Sequence, residues 1–399
     1  MNILILGDGP EELSWAIHLL NHPEHRLAAA CPGFKSLPDV PGGNDLDTAL
    51  ALLNIDAVIC GGDSTLRAEG LRRAASTGMR ALALHPPGPN ADPYYQVALS
   101  RQETGAIVVP DLPMRRHPGF VMLEKALGEL PLGKMIYVVR YEATVSSADG
   151  DLVSHVLPRV IDGVRALMGD IQAVTATGVP PGERPNQSLT VHFRGKDDLH
   201  GEIRLNRGPD EAAKLIVPTA DGSLTLEHDL AFHTSARIVR SSARDGTSTI
   251  ELGIWDAKTS LLRALEEATL EHEPSPGLND GTRAMEVTEA AARGLRKGRT
   301  IDLYYEEMSE LGNFKSVMTS MGCGLLLMAI FLLFLSAALP WMGFEKGAYI
   351  GWLILPVLVG FMLFQLLRYN IGSSTNQGPA SKPDSERNDP CPLNQSGLD

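Results

Sequence analysis

Cysteine is scarce in this chain, which has only four among its 399 residues. No two of them lie at the spacing of a metal-binding pair, since they stand at Cys31, Cys60, Cys323 and Cys391. This spacing excludes a small disulfide-stabilised fold and a zinc site built on paired cysteines. Such sparse use of cysteine is typical of a reducing compartment, and we predict no metal site.

Blocks of basic residues are also lacking, and the formal net charge is −13. A protein that follows a phosphate backbone needs clustered lysine and arginine, so we predict no nucleic-acid partner. The N-terminus likewise lacks a basic stretch followed by a cleavable apolar segment, because Met1 leads directly into a strand-like run. We therefore predict no secretory signal.

Charge is absent from two long apolar runs near the C-terminus, residues 316–344 and 348–367. Each is long enough to cross a bilayer, which takes ~20 apolar residues. Trp341, Tyr349 and Trp352 lie at the ends that face the connecting turn, where aromatic anchors are expected. We predict a two-helix transmembrane hairpin over residues 316–369, with two buried helices of a soluble core as the alternative.

The charges that flank the two runs predict their orientation. Four basic residues precede the first run and Arg368 follows the second, whereas the turn contains only Lys346; the four are Arg296, Lys297, Arg299 and Lys315. Positive charge is retained on the cytoplasmic side. We expect a multi-pass protein of a bacterial-type inner membrane, with the large N-terminal part and the tail in the cytoplasm. The tail, residues 370–399, is polar and rich in Pro, Ser and Asn, and we predict that it is disordered.

The remaining sequence divides into two parts with different patterns. Strand-like and helical segments alternate over residues 1–122, which predicts a Rossmann-like parallel sheet with helices on both faces. Over residues 123–312, strand-like runs follow one another with little helix between them. This pattern predicts an α+β domain with an open, mostly antiparallel sheet.

The chain opens with the strand-like ILIL and then GDGPEE, which has Gly7 and Gly9 at the first two positions of a dinucleotide-binding turn. Three further segments follow, and these are DAVICGGDSTLRAEG from residue 56, DLVSHVLPRVIDGVRALMGD from 151 and LNDGTRAMEVTEAAARGLRKGRTIDL from 278. Their order and separations resemble the glucose-fructose oxidoreductase / inositol dehydrogenase (Gfo/Idh/MocA) family over about residues 1–305. The resemblance implies an oxidoreductase that uses NAD or NADP on a sugar- or polyol-like small molecule.

The resemblance also implies site residues, although the chain departs from the family pattern at several of them. The implied cofactor-binding residues are Gly7, Gly9, Gly61 and Asp63. The third small residue of the turn is replaced by Glu12, and Cys31 and Pro32 stand where an acid often binds the ribose. The implied catalytic residues are His85, His155, Arg159 and Asp162, with His85 at the position of the family's lysine and Arg159 at that of its histidine. A solvated polar helix face is the alternative for this group.

A basic cluster at the junction of the two parts, Arg115, Arg116 and His117, resembles the family's substrate-binding segment. Two arginines can hold a carboxylate or phosphate by paired hydrogen bonds, and an exposed interdomain loop is the alternative. Two functions follow. One is a membrane-anchored NAD(P)-dependent oxidoreductase, and the other is a catalytically degenerate relative that acts as a membrane-tethered binding or scaffold protein. Glycines in both apolar runs also permit close helix packing in a homo-oligomer.

Overall fold

The computed structural model describes residues 1–43, 45–51, 54–128, 138–146, 150–180, 187–196, 199–219, 221–270, 272–303, 331–332 and 334–335. Residues 1–305 form one compact unit and residues 306–399 form a second. In the second unit only four residues are described, and they are helical.

A parallel five-stranded sheet occupies the first part of the chain, in the order β2-β1-β3-β4-β5. Its strands are β1 (Asn2–Leu6), β2 (Arg26–Cys31), β3 (Ala57–Cys60), β4 (Arg80–Ala83) and β5 (Val108–Pro110). These runs are short, apolar and mostly buried, as expected of strands covered on both faces. The parallel α/β fold predicted for residues 1–122 is confirmed.

Helices cover both faces of this sheet. The helices from the first part of the chain are α1 (Pro10–Leu20), α2 (Leu46–Leu50), α3 (Ser64–Ser76) and α4 (Asp92–Thr104). Leu71 of α3 and Val97 of α4 share one apolar core, whereas Trp15 of α1 lies in the core on the other face. That second core also contains Leu262 and Leu265 of α7 (Ala257–Glu267), so a late segment of the chain returns to the first sheet.

The second sheet is mixed, in the order β13-β12-β11-β10-β6-β9-β8-β7-β14. Its strands are β6 (Val138–Val145), β7 (Ile171–Thr177), β8 (Ser188–Gly195), β9 (His200–Arg207), β10 (Ala212–Thr219), β11 (Gly222–His228), β12 (Arg237–Ser242), β13 (Gly246–Glu251) and β14 (Ile301–Asp302). Among the described pairs only β6 and β9 are parallel, so the predicted mostly antiparallel sheet is confirmed. Alternate residues of β8, such as Val191 and Phe193, point into the core.

Three helices accompany the second sheet: α5 (Pro118–Gly128), α6 (Leu157–Met168) and α8 (Leu278–Lys297). A π-helical turn, Leu152–Val156, leads directly into α6. The apolar faces of α6 and α8 lie in the same core as the inward side chains of the sheet. The predicted boundary between residues 122 and 123 falls inside α5.

Within the described residues, no helix combines the length and the apolar character that crossing a membrane requires. The hairpin predicted over residues 316–369 lies outside the described residues, apart from 331, 332, 334 and 335. The tail predicted to be disordered, residues 370–399, lies outside them entirely.

Candidate functional site

The order of the first sheet reverses direction between β1 and β3, and the glycines of both connecting turns meet there. Gly7 follows β1, and Gly61 and Gly62 follow β3. In open α/β sheets, ligands bind outside the carboxyl ends of the strands at such a switch point. Gly7 has a φ of +101°, a conformation that a residue with a side chain rarely adopts. The structure therefore places three predicted cofactor residues, Gly7, Gly9 and Gly61, around one crevice.

The side chain of Glu12 fills this crevice. Glu12 is buried, with 3% of its surface exposed, and its Oε1 accepts a 2.7 Å hydrogen bond from the backbone N–H of Gly62. A Cβ on Gly9 would lie 2.6 Å from Glu12 Oε2, and one on Gly61 would overlap Oε1. The missing Cβ atoms therefore make room for a carboxylate that belongs to the chain itself.

The backbone of this crevice matches the needs of a dinucleotide pyrophosphate, but its charge does not. The backbone shape suits a pyrophosphate, because glycines allow close approach and a helix begins at the turn. However, Pro10 at the first position of α1 has no N–H, and α1 has no side-chain cap. With Glu12 in the described position, the turn does not accept a second anion.

The fourth predicted cofactor residue, Asp63, caps a helix. Its Oδ1 accepts hydrogen bonds from the backbone N–H groups of Thr65 (2.9 Å) and Leu66 (2.8 Å), so it begins α3. Its side chain is exposed and its Oδ1 is engaged by α3.

A chain of alternating charges runs along the rim of the first sheet, starting from Glu12. Arg67 Nη2 lies 3.5 Å from Glu12 Oε1 and 3.3 Å from Glu11 Oε2. The opposite oxygen of Glu11 is 2.6 Å from Nη2 of Arg159, whose Nε donates to the backbone carbonyl of His85 at 2.9 Å. Arg159 is thereby held against the first sheet although it belongs to α6.

A cavity of about 280 Å³ opens beside this rim, between the carboxyl ends of the first sheet and the second sheet. Among the described residues, five charged side chains line it and come from distant parts of the chain: Glu11, Asp111, Arg159, Glu211 and Lys258. Apolar side chains contribute much of the remaining wall, among them Trp15, Met114, Val145, Val156, Val160, Phe232 and Leu261. Mostly apolar walls with a few converging polar groups are typical of a small-molecule site.

Asp111 and Lys258 are two charged cavity residues whose pKa values are shifted by their surroundings. Burial, assisted by the negative charge of Glu11, raises the pKa of the Asp111 carboxyl to about 6. Burial also lowers the pKa of the Lys258 ammonium, although the negative charges of Asp111, Asp256 and Glu11 oppose this shift. Lys258 donates to Ser14 Oγ and lies 5.4 Å from the centroid of the Trp15 ring. Groups with such shifts in a cleft are typical of sites that move protons.

Tyr141 on β6 is also among the residues that line the cavity. Its side chain is fully buried, and its hydroxyl has no hydrogen-bond partner among the described residues. Burial raises the pKa of this phenol well above its usual value, so the hydroxyl retains its proton. A buried polar group without a partner in a cavity wall is suited to a ligand hydroxyl.

The predicted catalytic residues separate into two groups. His155 and Arg159 line the cavity, and His155 is exposed, with Nδ1 3.0 Å from Ser154 Oγ. His85 and Asp162 are buried and are not among the described lining residues. His85 Nδ1 lies 2.9 Å from Tyr94 Oη, and burial lowers the pKa of its imidazole to about 3. His85 is therefore neutral at physiological pH.

Asp162 and Arg115 form a buried ion pair. Arg115 donates to both carboxylate oxygens at 2.6 Å, and Asp162 is only 1% exposed. Arg165 and Asp280 complete a group of four charges, in which Arg115 Nη2 also lies 3.0 Å from Asp280. The guanidinium predicted to hold a substrate anion is thus paired with carboxylates of the chain.

The other two residues of the predicted substrate cluster also contact protein groups. Arg116 donates to Ser260 Oγ at 3.0 Å and to the carbonyl of Ser275 at 3.2 Å. His117 is buried among aromatic rings, 5.3 Å from Phe232 and 5.0 Å from Trp255, and burial lowers its pKa to about 4. The cluster lies at the domain junction, as predicted, and holds it together, while the neighbouring Pro113 and Met114 reach the cavity.

Sequence reasoning missed Asp111, Lys258 and Tyr141. Asp111 had a usable signal, because it directly follows the last strand of a parallel sheet, where ligand-binding residues lie. Lys258 had no such signal, because the sequence of α7 does not show that this helix packs on the first sheet.

Comparison with known proteins shows what this arrangement resembles. No family model matches the chain, and no curated protein matches its sequence. Among solved structures, a myo-inositol dehydrogenase from Corynebacterium glutamicum is 16% identical, with a TM-score of 0.60 over 77% of this chain and 99% of its own. A levoglucosan dehydrogenase in complex with NADH and levoglucosan is 14% identical, with a TM-score of 0.63 over 76% of this chain and 100% of its own.

A third solved structure, a UDP-N-acetylglucosamine 3-dehydrogenase from Acidithiobacillus ferrooxidans, is 16% identical, with a TM-score of 0.62 over 74% of this chain and 98% of its own. At these identities the likeness establishes the fold. The predicted fold, a Rossmann-like parallel sheet followed by a mostly antiparallel sheet, is confirmed, and the likeness covers about three quarters of the chain.

Proposed function

We propose that this protein is an oxidoreductase that takes a small sugar- or polyol-like molecule into the cavity and uses a nicotinamide dinucleotide, NAD or NADP. The observation that carries the proposal is that Asp111 and Lys258, both with shifted pKa values, line one cavity at the carboxyl ends of the first sheet. The dehydrogenases of the same fold, one of them in complex with NADH and levoglucosan, support it.

Oxidation of an alcohol removes a hydride, which the dinucleotide takes when bound, and a proton, which the chain must accept. Lys258 is suited to accept that proton because burial favours its neutral form. Asp111 has a pKa of about 6, so its carboxyl is suited to exchange protons near neutral pH. Arg159 lines the cavity and contacts Glu11 at 2.6 Å, so its guanidinium is suited to orient a substrate hydroxyl.

The test is a titration of the purified full chain with NADH and NADPH, followed by turnover assays with levoglucosan, L-sorbose and myo-inositol. Lys258→Met should lower turnover by about 10²- to 10⁴-fold, the usual contribution of a general base. Lys125→Met, on α5 and outside the described cavity lining, is the matched control and should leave turnover unchanged. Absence of dinucleotide binding at millimolar concentration would contradict the proposal.

The position of Glu12 favours a second candidate, a binding or scaffold protein that holds a sugar-like ligand without hydride transfer. A carboxylate in the glycine turn opposes a pyrophosphate but leaves the cavity open. Sugar binding with no response to either dinucleotide would favour this candidate over the oxidoreductase.

We also propose that residues 316–369 anchor the protein in a bacterial-type inner membrane, with the large N-terminal part and the tail in the cytoplasm. The two uncharged runs and their flanking charges support this. Cys391 in the tail allows a test, because Cys31 and Cys60 are buried and Cys323 belongs to the proposed first span. A membrane-impermeant maleimide should label the tail only after cells are opened, and Cys391→Ser should abolish that signal. Labelling in intact spheroplasts would contradict the orientation.

A further inference from the structure

Glu12 is held at the point where a Rossmann-type turn receives an anionic ligand. Its carboxylate accepts from Gly62 N–H at 2.7 Å, lies 3.5 Å from the Arg67 guanidinium and is shielded from solvent. These are the partners that a bound phosphate would need, namely a backbone N–H, a guanidinium and glycines without Cβ atoms.

We propose that the Glu12 carboxylate is an internal substitute for the ligand phosphate: it occupies the anion position of the glycine turn and must leave before a pyrophosphate binds there. The inference rests on the proposed function, because it concerns the dinucleotide that the oxidoreductase would use. Glu12 is thus a residue that determines cofactor affinity.

Two features of the turn argue for this role over a simple buttress between α1 and β3. A buttress needs only volume, and an apolar side chain would supply it without burying a charge. Here a carboxylate is buried instead, and it takes the Gly62 N–H together with part of the hydrogen-bonding capacity of Arg67. Pro10 further reduces the backbone donors at the start of α1, so an incoming anion has few partners left unless Glu12 moves.

Two variants separate the charge of Glu12 from its volume. Glu12→Ala removes both, whereas Glu12→Gln removes the charge and keeps an oxygen that can accept from Gly62. Glu24→Ala is the matched control, because it removes the same charge from an exposed position beyond the end of α1. The measurement is the Kd of the purified full chain for NADH, by fluorescence, and for inorganic pyrophosphate, by calorimetry.

We expect Glu12→Ala to bind both probes roughly tenfold or more tightly than the wild type, which corresponds to about 1.4 kcal/mol. Glu12→Gln should shift both affinities in the same direction, and Glu24→Ala should stay within about twofold of the wild type, or under ~0.5 kcal/mol. If Glu12→Ala gains pyrophosphate but not NADH, the anion position is correct and the nicotinamide dinucleotide is not the cofactor.

A cooperatively unfolding Glu12→Ala or Glu12→Gln protein that binds neither probe more tightly than the wild type would overturn the inference. If Glu12→Ala does not fold, Glu12→Gln decides the question, because it preserves the packing against the three glycines.

Discussion

The ion pair of Asp162 and Arg115 makes the sharpest prediction about stability. Asp162→Ala should leave two largely buried guanidiniums, Arg115 at 17% and Arg165 at 8% side-chain exposure. Asp280 remains beside both, and the exposed Asp170 lies 3.6 Å from Arg165. Removing one partner of a buried pair costs ~3–5 kcal/mol. Because Asp280 still compensates part of the charge, we expect the lower end, about 3 kcal/mol.

This loss is large enough to measure by thermal unfolding of the full chain, followed by circular dichroism. In a protein of this size, 1 kcal/mol corresponds to roughly 2 °C or more, so Asp162→Ala should lower Tm by about 6 °C. Glu69→Ala, which breaks the solvent-accessible pairs with Arg72 and Arg73 on α3, is the control and should cost under ~1 kcal/mol.

A double variant tests whether the unpaired buried charge of Arg115 causes this loss of stability. Arg115→Met combined with Asp162→Leu replaces the pair by apolar side chains, and its stability should lie close to that of the wild type, within ~1–2 kcal/mol. If Asp162→Ala unfolds with the wild-type Tm but loses ligand binding, the pair is not structural and Asp162 acts in the site, as the family resemblance implied.

Three further predictions concern single side chains. Asp111→Asn should stabilise the protein at pH 8 by on the order of 2 kcal/mol, because the raised pKa makes ionisation of this carboxyl costly in the folded state. The gain should shrink as the pH falls from about 6 towards 4, where the folded protein holds the carboxyl protonated. An equal gain at pH 8 and pH 4 would refute this. Between pH 7 and pH 5 the wild type should lose about 2 kcal/mol more stability than His85→Gln, because the unfolded chain binds a proton at His85 in this range and the folded protein does not. Parallel curves of stability against pH for the two proteins would contradict this. Tyr141→Phe should raise the free energy of unfolding by ~1 kcal/mol without ligand, because it removes a buried hydroxyl that has no hydrogen-bond partner among the described residues. A lower Tm for the variant would show that the hydroxyl is hydrogen-bonded.

The parts that sequence predicted well depend on regular patterns. Buried apolar runs separated by helices specify parallel strands, and the carboxyl ends of those strands share one edge, so Gly7 and Gly61 could be expected to meet. Arg159 follows from its place near the start of a helix at the domain junction. Each of these depends on backbone topology, which hydrophobic periodicity encodes.

The parts that sequence could not predict depend on side-chain geometry or on distant packing. A glycine turn followed by Glu12 does not reveal whether the carboxylate points to solvent or into the turn. Lys258 joins the cavity because α7 returns to the first sheet, about 150 residues after β5 ends. Arg115 has a side chain that can bind a ligand anion. Only the structure shows that the anion it binds is the carboxylate of Asp162.

At the glycine turn and at the domain junction, a carboxylate of the chain occupies donor groups that a ligand anion could use. Further ion pairs connect the turn to the cavity. At the turn, Glu12 takes the donors that a phosphate would use, and at the junction Asp162 takes those of Arg115. Arg67 and Glu11 connect the turn to Arg159 in the cavity wall through contacts of 3.5, 3.3 and 2.6 Å. Arg67 contacts both Glu12 and Glu11, so a movement of Glu12 changes the partners of Arg67. Glu11 in turn contacts Arg159, which links this change to the cavity wall. One continuous series of ion pairs therefore joins the glycine turn to the cavity wall.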